Sequence, residues 1–296
     1  MPAGVYDIQQ VSPAGVLQVT NAQTNASVLV IGATYKKDIK DLRKSPALDI
    51  IENGENLGYV KGVNRGITKV LERGATHVLV INNDAIARPG MVKGLLGSFA
   101  RHNDAGIVGP KIFYFENKDI LWFKGGHFNH SLGYSTHPFM DHPDDDDNAD
   151  REVDFITGCV MMIKAETFRD LGLFDEDYEI YAEDLDFCLR AKERGIASWV
   201  IPSVAAEHKV SISTGVAGSN IMTPYRSYFC ARNIPILLGK RMKGPRLLTC
   251  LIGQIIIRIP YYFMLISIQG EKGALRQFLK GYADGLMFFI VHEHKK

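Results

Sequence analysis

Three short polar segments of this 296-residue chain hold side chains that could do chemistry together. Asn82, Asn83 and Asp84 follow directly on the apolar run Val78 to Ile81. A carboxylate at the carboxyl end of a strand can hold a divalent cation that also touches a diphosphate, because such cations take oxygen ligands and complete their shell from the substrate. The segment "YAEDLDFCLR", Tyr181 to Arg190, puts Glu183, Asp184 and Asp186 in the first turn of a helix. The helix dipole there favours the ionised carboxylate that a general base requires. His208 follows a third apolar run, and its neutral ring can ligate the same kind of cation. Each feature also has a plainer explanation: a turn after a strand, acids that cap a helix, an ordinary hydrogen-bonded histidine. His127, His130, His137 and His142, beside the run Asp144 to Asp147, lack regular ligand spacing and read as a solvated loop.

The elements that must position these residues are legible in the hydrophobic pattern. "VLVIGATY" (28–35) predicts a strand, and "SPALDII" (45–51) a helix with Ser45 at the cap and Pro46 at its first position. A helix from about Val60 to Arg73 closes at Gly74, and "THVLVINND" reads as a buried strand running out into polar residues. "GMVKGLLGSFARH" reads as helix and "AGIVGPKIFYF" as extended, and residues 119–150, rich in Gly, His and Asp, read as an irregular connection. Then come a strand "VDFITGCVMMIK", a helix "AETFRDLG", a helix from about Glu183 to Arg194 closed by Gly195, and a strand "IASWVIP" ending at Pro202. Strands and helices alternating at these lengths predict an open α/β sheet.

Composition excludes several classes. With 34 basic against 33 acidic residues the formal charge is +1, so no global field draws nucleic acid, and 46% hydrophobic content suffices for a core. Cys159, Cys188, Cys230 and Cys250 are widely spaced and read as buried thiols of a reducing compartment. The first thirty residues lack the pattern of a secretory signal, which points to a cytoplasmic amino terminus. "LLTCLIGQIIIRIPYYFMLISI", Leu247 to Ile268, is apolar for about the roughly 20 residues that span a bilayer, yet it carries Gln254, Arg258 and Pro260. Basic residues flank it on both sides, Lys240, Arg241, Lys243 and Arg246 before and Lys272, Arg276 and Lys280 after. That symmetry favours a helix lying in the cytosolic interface of the cell membrane over a spanning one, with a buried helix pair as the soluble alternative.

Taken in order, "ENGENLGYVKGVNRGI", "VLVINNDAIARPG", "VDFITGCVMMIKAETFRDLGLFDEDYEIYAEDLDFCLRAKERG", "IPSVAAEHKVSIS" and "YRSYFCARNIPILLGK" resemble the family 2 glycosyltransferases, particularly their bacterial rhamnosyltransferase-like branch. The closing "LKGYADGL" is similar to that family's usual ending. The resemblance implies a GT-A fold and inverting transfer of a sugar, with rhamnose from dTDP-rhamnose the first expectation. It implies a nucleotide-sugar donor and a glycan or lipid-linked acceptor. It implies a divalent cation, Mn or Mg, at Asp84 and His208, and Asp184 as the base. It also implies Asn56, Gly58, Asn64, Asn82 and Asn83 beside the donor. The small residues Thr157 to Cys159 would let donor and acceptor approach the sheet.

The family normally opens with strands ending in an Asp-Asn-x-Ser-x-Asp element that grips the nucleoside, and this chain has none. In its place "VLVIGATYKKDIKDLRKSPALDII", Val28 to Ile51, resembles the carboxyl-terminal domain of the nucleotide-sugar dehydrogenases related to UDP-glucose dehydrogenase. No G-x-G-x-x-G follows an early strand, which argues against dehydrogenase activity. The expected organisation is therefore a dehydrogenase-like fragment over residues 1–51, a GT-A core over 52–240 whose first strands are lost or replaced, and a membrane-associated helical region over 241–296. The strand at 28–35 would dock at the sheet edge, where the lost strands belonged. A catalytically impaired chimera acting as a binding module is the alternative to an active transferase.

Overall fold

The structure is a computed structural model that describes residues 15–21, 26–32, 48–49, 51, 53, 55–210, 222–269 and 271–293. Its amino-terminal part contributes three strands, β1 (Gly15–Asn21), β2 (Ala26–Gly32) and β3 (Leu48–Asp49). Helix α1 (Tyr59–Glu72) follows, with Val60, Val63, Ile67 and Val70 buried along one face. That is the stripe expected of an amphipathic helix laid on a sheet. Strand β4 (His77–Ile81) is buried from Val78 to Ile81 and leads through the polar turn at Asn82 into the short β5 (Ala85–Ala87). Helix α2 (Met91–Ser98) and the long strand β6 (Ala105–Tyr114) complete this half.

The irregular connection holds three short strands, β7 (Leu121–Phe123), β8 (His127–Asn129) and β9 (Tyr134–Thr136), of which the last two form a separate hairpin. Beyond it lie β10 (Arg151–Val153), β11 (Val160–Lys164), α3 (Ala165–Leu171), α4 (Glu183–Glu193) and β12 (Ala197–His208). Ten strands form one mixed sheet in the order β10-β12-β6-β11-β4-β2-β1-β3, with β5 paired to β12 and β7 to β6. The pairs β2–β4 and β6–β12 are parallel and the rest antiparallel.

Three sequence expectations change. "VDFITGCVMMIK" is broken into β10 and β11 by a loop through Thr157 and Gly158, because Phe155 leaves the sheet to bridge Gly126. β12 does not stop at Pro202 but continues to His208, shifting register near Ile201 before pairing Ala205 to His208 with β6. Within the helix expected from Ser45, Leu48 and Asp49 are extended and pair with Leu17 and Val16. The available edge of β1 outweighs a local helix preference that is worth only tenths of a kcal/mol per residue. Residues 45–47 and 50 of that expected helix lie outside the described residues. β2, from the strand expected at 28–35, is an inner strand with Val28 to Ile31 paired to His77 to Val80.

The carboxyl-terminal helices are α5 (Pro224–Arg241), α6 (Pro245–Gly253), α7 (Ile259–Gln269) and α8 (Ala274–Glu293), with a π-helical turn over Gln254–Arg258 joining α6 to α7. α5 and α8 pack closely because α8 presents Gly281 and Gly285 to α5. A Cβ on either would fall 2.2 Å from a backbone oxygen, of Tyr228 or Arg232. A helix gains about 1 kcal/mol when an interior Gly becomes Ala. Gly285→Ala should nevertheless destabilise the protein, by about 1–3 kcal/mol, because backbone cannot rotate out of the way as a side chain can. A melting temperature equal to or above that of the wild type would show that the helices separate freely.

The segment Pro245–Ile268 is long and apolar enough to cross a membrane. Its polar residues, however, turn to the protein. Gln254 is buried and donates to the Gly133 carbonyl at 2.7 Å, and Arg258 donates to the Tyr262 hydroxyl at 3.0 Å. Leu248, Ile255, Ile256, Met264 and Ile268 lie on the outside, each more than half exposed.

Candidate active site

The carboxyl end of β4, the loop before β11 and the start of α4 enclose one cavity of about 680 Å³. Register explains how residues far apart in sequence meet there. β5 pairs antiparallel with the end of β12, so Ala85 faces His208. That leaves Asp84 Oδ1 3.1 Å from His208 Nε2, with both side chains about nine-tenths buried. The backbone adds a second tie, from the Lys209 amide to the Asp84 carbonyl at 2.9 Å. Asn82 is fixed by its own amide on the Cys159 carbonyl at 2.8 Å and by the Tyr59 hydroxyl, which donates to Asn82 Oδ1 at 3.0 Å. Asn82, Asn83 and Asn56 all line the cavity.

Gly58 starts α1 with φ 77°, a conformation only glycine adopts without strain, and its amide donates to Asn56 Oδ1 at 3.0 Å. Asn64 is different. Its carboxamide donates to the Phe174 carbonyl at 2.8 Å and accepts from the Phe174 amide at 3.1 Å, so it fixes the segment before α4 and is not among the cavity's lining residues.

Asp184 lines the same cavity. Its Oδ2 accepts from the Gly158 amide at 2.8 Å and its Oδ1 from its neighbour Leu185 at 2.7 Å. Removal from water raises the pKa of Asp184, an effect the two amides only partly offset. Glu183 beside it is held well above the ordinary carboxylate range, by burial and then by the Asp184 charge, and its Oε2 has no hydrogen-bond partner among the described residues. Two adjacent enclosed carboxyls resist double ionisation, and of the two it is Asp184 that has the Gly158 and Leu185 amides to favour its charged form. The sequence expectation that the helix dipole alone sets this ionisation is therefore incomplete, since desolvation opposes it. Cys159 stands between the two functional walls. Burial, then the charges of Asp84 and Asp184, hold its thiol well above the ordinary range. Asp186, the third acid of this turn, faces away and pairs with Arg190 and Arg241.

The base helix is held by a strained approach. Glu179, Tyr181 and Ala182 have φ of 60°, 66° and 68°, a region that costs a non-glycine residue about 1–3 kcal/mol. Asn233 of α5 secures them: its Nδ2 lies 2.9, 2.7 and 2.7 Å from the carbonyls of Tyr178, Ile180 and Tyr181. Arg232 donates to the Asp177 carbonyl at 2.8 Å, and the Val60 amide to the Glu179 carbonyl at 3.0 Å. Sequence reasoning missed Asn233, whose one local trace is a carboxamide directly before the apolar run Ile234 to Leu238.

The loop expected to be solvated is partly a wall of the site. His137 lines the cavity between the rings of Phe123 and Phe155, and burial followed by the charges of Arg258 and Arg226 lowers its pKa to about 4. Lys124, with no exposed side-chain surface, pairs with Asp144 at 2.9 Å and with Asp145, anchoring the acidic run instead of leaving it in water.

Metal-holding capacity can be tested on the donors themselves. Two ligand atoms each about 2.1 Å from one small cation and at right angles stand about 3 Å apart, and the Asp84 and His208 atoms stand 3.1 Å apart. The donor set, one carboxylate and one imidazole, suits a divalent ion that takes its remaining ligands from substrate oxygens. Among the described residues no group of three or more His, Cys, Asp or Glu is arranged around an ion.

An open mixed sheet with a carboxylate at the end of an inner strand, facing a second acid at a helix start, has the architecture of the GT-A nucleotide-sugar transferases. The profile described as "Glycosyltransferase like family 2" matches residues 19–220, and the chain belongs to that family. The N-acetylglucosaminyl-diphospho-decaprenol L-rhamnosyltransferase of Mycobacterium tuberculosis is 27% identical over 192 residues, 59% of this chain and 62% of that protein. The dTDP-rhamnosyl transferase RfbF of Shigella flexneri is 31% identical over 114 residues, 38% of each chain. This chain thus spans less than two thirds of the curated relatives it matches. In fold it is similar to GalNAc-T7 solved with UDP, GalNAc and Mn2+, with a TM-score of 0.51 at 12% identity over 83% of this chain and 53% of that one.

Proposed function

We propose that this protein is an inverting glycosyltransferase that moves a sugar, rhamnose from dTDP-rhamnose in the first instance, to a lipid-linked acceptor at the cytosolic face of a membrane. The observation that carries the reading is that the Asp84–His208 pair and the Asp184 carboxylate line one cavity. The rhamnosyl donor and the lipid acceptor are supported by the names of the two curated relatives, and the membrane face by the exposed apolar side of 245–268.

In this reading Asp84 and His208 hold Mn or Mg, which when bound supplies Lewis-acid stabilisation of the departing diphosphate. Asn56, Asn82 and Asn83 line the donor side, and Gly58 gives α1 a start free of side chain beside it. Asp184 accepts the proton of the acceptor hydroxyl as that oxygen attacks the anomeric carbon. Attack from the face opposite the leaving group inverts the configuration. Tyr59 and Gly158 keep the two walls at fixed separation, since the Tyr59 hydroxyl lies 3.0 Å from Asn82 Oδ1 and 3.4 Å from the Gly158 carbonyl. Residues 1–51 would form a replaced amino-terminal unit on a 52–240 core, with 241–296 as the membrane-associated region.

The test is transfer from labelled dTDP-rhamnose and other nucleotide sugars to a prenyl-diphosphate-linked N-acetylglucosamine, with the anomeric configuration of the product read by NMR. Retained configuration, or no transfer and no heat of binding with any nucleotide sugar, would reject the proposal. Asp84→Ala should weaken nucleoside diphosphate binding in the presence of Mn about tenfold or more, and little in its absence, as expected for loss of a charged ligand worth at least 1.4 kcal/mol. Calorimetry with UDP and dTDP, with and without EDTA, measures both arms.

A further inference from the structure

The cavity contains two cations that the reaction scheme above does not use. Arg226, in the first turn of α5, and Arg258, at the end of the π-helical turn, both line it. Arg258 reaches only neutral groups, the Tyr262 hydroxyl at 3.0 Å and the Ser135 carbonyl at 3.4 Å. Among the described residues neither guanidinium forms an ion pair with a carboxylate, and the Nε of each is buried without a hydrogen-bond partner. They converge: both bear on the imidazole of His137, which stays neutral beside them. Two partly buried positive charges without counter-charge repel one another and lose part of their hydration, a cost that an anionic ligand would offset.

Their position says which anion. Arg226 belongs to α5, the helix whose Asn233 holds the Ile180 and Tyr181 carbonyls at the approach to α4, so it stands on the side of the cavity from which the base helix starts. Arg258 belongs to the same helical stretch whose outer side exposes Ile255, Ile256 and Met264. An anion held between them therefore lies next to an apolar surface on one side and the base on the other. We propose that Arg226 and Arg258 form the subsite for the diphosphate of a prenyl-linked acceptor, with its chain leaving along the exposed face of residues 245–268. The inference rests on the reading of this cavity as a transferase site and adds the residues that recognise the acceptor. Guanidinium forks match diphosphate oxygens in pairs, whereas a lysine offers only a point charge.

The experiment is calorimetry on the full chain in detergent, with farnesyl diphosphate as the probe, farnesol as the uncharged control, and UDP and dTDP with Mn as the donor-side controls. Wild type should bind farnesyl diphosphate and not farnesol. The double variant Arg226→Gln, Arg258→Gln should bind farnesyl diphosphate about ten- to a hundredfold more weakly, as loss of one or two charge-assisted contacts predicts, with UDP and dTDP affinity unchanged. Double replacement by Lys should restore part of the loss, and far-UV circular dichroism monitors the fold of each variant. Failure of wild type to bind farnesyl diphosphate overturns the proposal, as does unchanged binding by the Gln variant. Parallel loss of UDP and dTDP binding assigns the two arginines to the donor instead and also overturns it. Because no sugar is transferred in these titrations, a failed transfer assay leaves their outcome readable, and transfer without any effect of the arginines rejects this subsite alone.

Discussion

Asp184→Asn should lower turnover by about 10²–10⁴-fold, the usual worth of a positioned general base, while nucleotide-sugar affinity stays at the wild-type value. Asparagine keeps the size of the side chain and one acceptor for the Gly158 amide, so the wall of the cavity survives. What it loses is the basic oxygen. The pH profile gives a second readout with a definite sign. Desolvation raises the pKa of Asp184, so the acid limb of kcat/KM should lie above the ordinary carboxylate range. Activity is present above that raised value and is lost as the pH falls through it. Glu183→Gln, by removing the neighbouring carboxyl, should leave the acid limb governed by Asp184 alone. Transfer by Asp184→Asn within a few fold of wild type would remove Asp184 as the base.

Asn233→Ala should cost more than its distance from the chemistry suggests. Deleting the carboxamide leaves the carbonyls of Tyr178, Ile180 and Tyr181 without the donor that joins them. The carbonyls of Ile180 and Tyr181, so stranded, cost about 1–3 kcal/mol each, while that of Tyr178 keeps the Ile180 amide, and the three positive-φ residues are then free to relax to ordinary conformations. Because Ala182 is the residue from which α4 starts, that relaxation moves Asp184. A displacement of about 1 Å at a catalytic group can reduce the rate 10²-fold. The expected result is a drop in kcat of tenfold or more with donor KM little changed, and faster amide hydrogen exchange over residues 179–185. The isosteric Asn233→Asp, which has no amide donor to offer, should behave the same way. Normal turnover together with unaltered exchange in both variants would show that the loop holds itself.

Much of this site is written in short-range sequence features. Asp84 is visible as the acid that ends a buried apolar run, and Asp184 as an acid in a first turn followed by a helix closed at Gly195. Both signals are local: a strand of four buried residues and a helix with an apolar stripe leave their mark within a dozen positions. The same locality explains what went astray. Leu48 and Asp49 look helical because Pro46 and Ser45 imitate a helix start, and nothing in those seven residues reveals that β1 offers them an open edge. His137 and Asp144 look solvated because their neighbours in sequence are polar, whereas their neighbours in space are Phe123, Phe155 and the buried Lys124.

By itself the sequence determined the α/β alternation, the residue types available for a cation and a proton, and an apolar carboxyl-terminal stretch with basic flanks. Those follow from periodicity and side-chain chemistry, which are properties of neighbouring residues. The tertiary structure alone decided which groups share a cavity. The β5–β12 register brings Asp84 to His208 across 124 positions, the Gly158 amide reaches Asp184 across 26, and the Asn233 amide fixes the entrance to α4 from 53 positions away. It also decided the ionisation of the acidic pair, because desolvation depends on what encloses a carboxyl and not on what precedes it in the chain. Gln254 and Arg258, which look like obstacles to a membrane helix, turn inward because the β8–β9 hairpin supplies carbonyls for them.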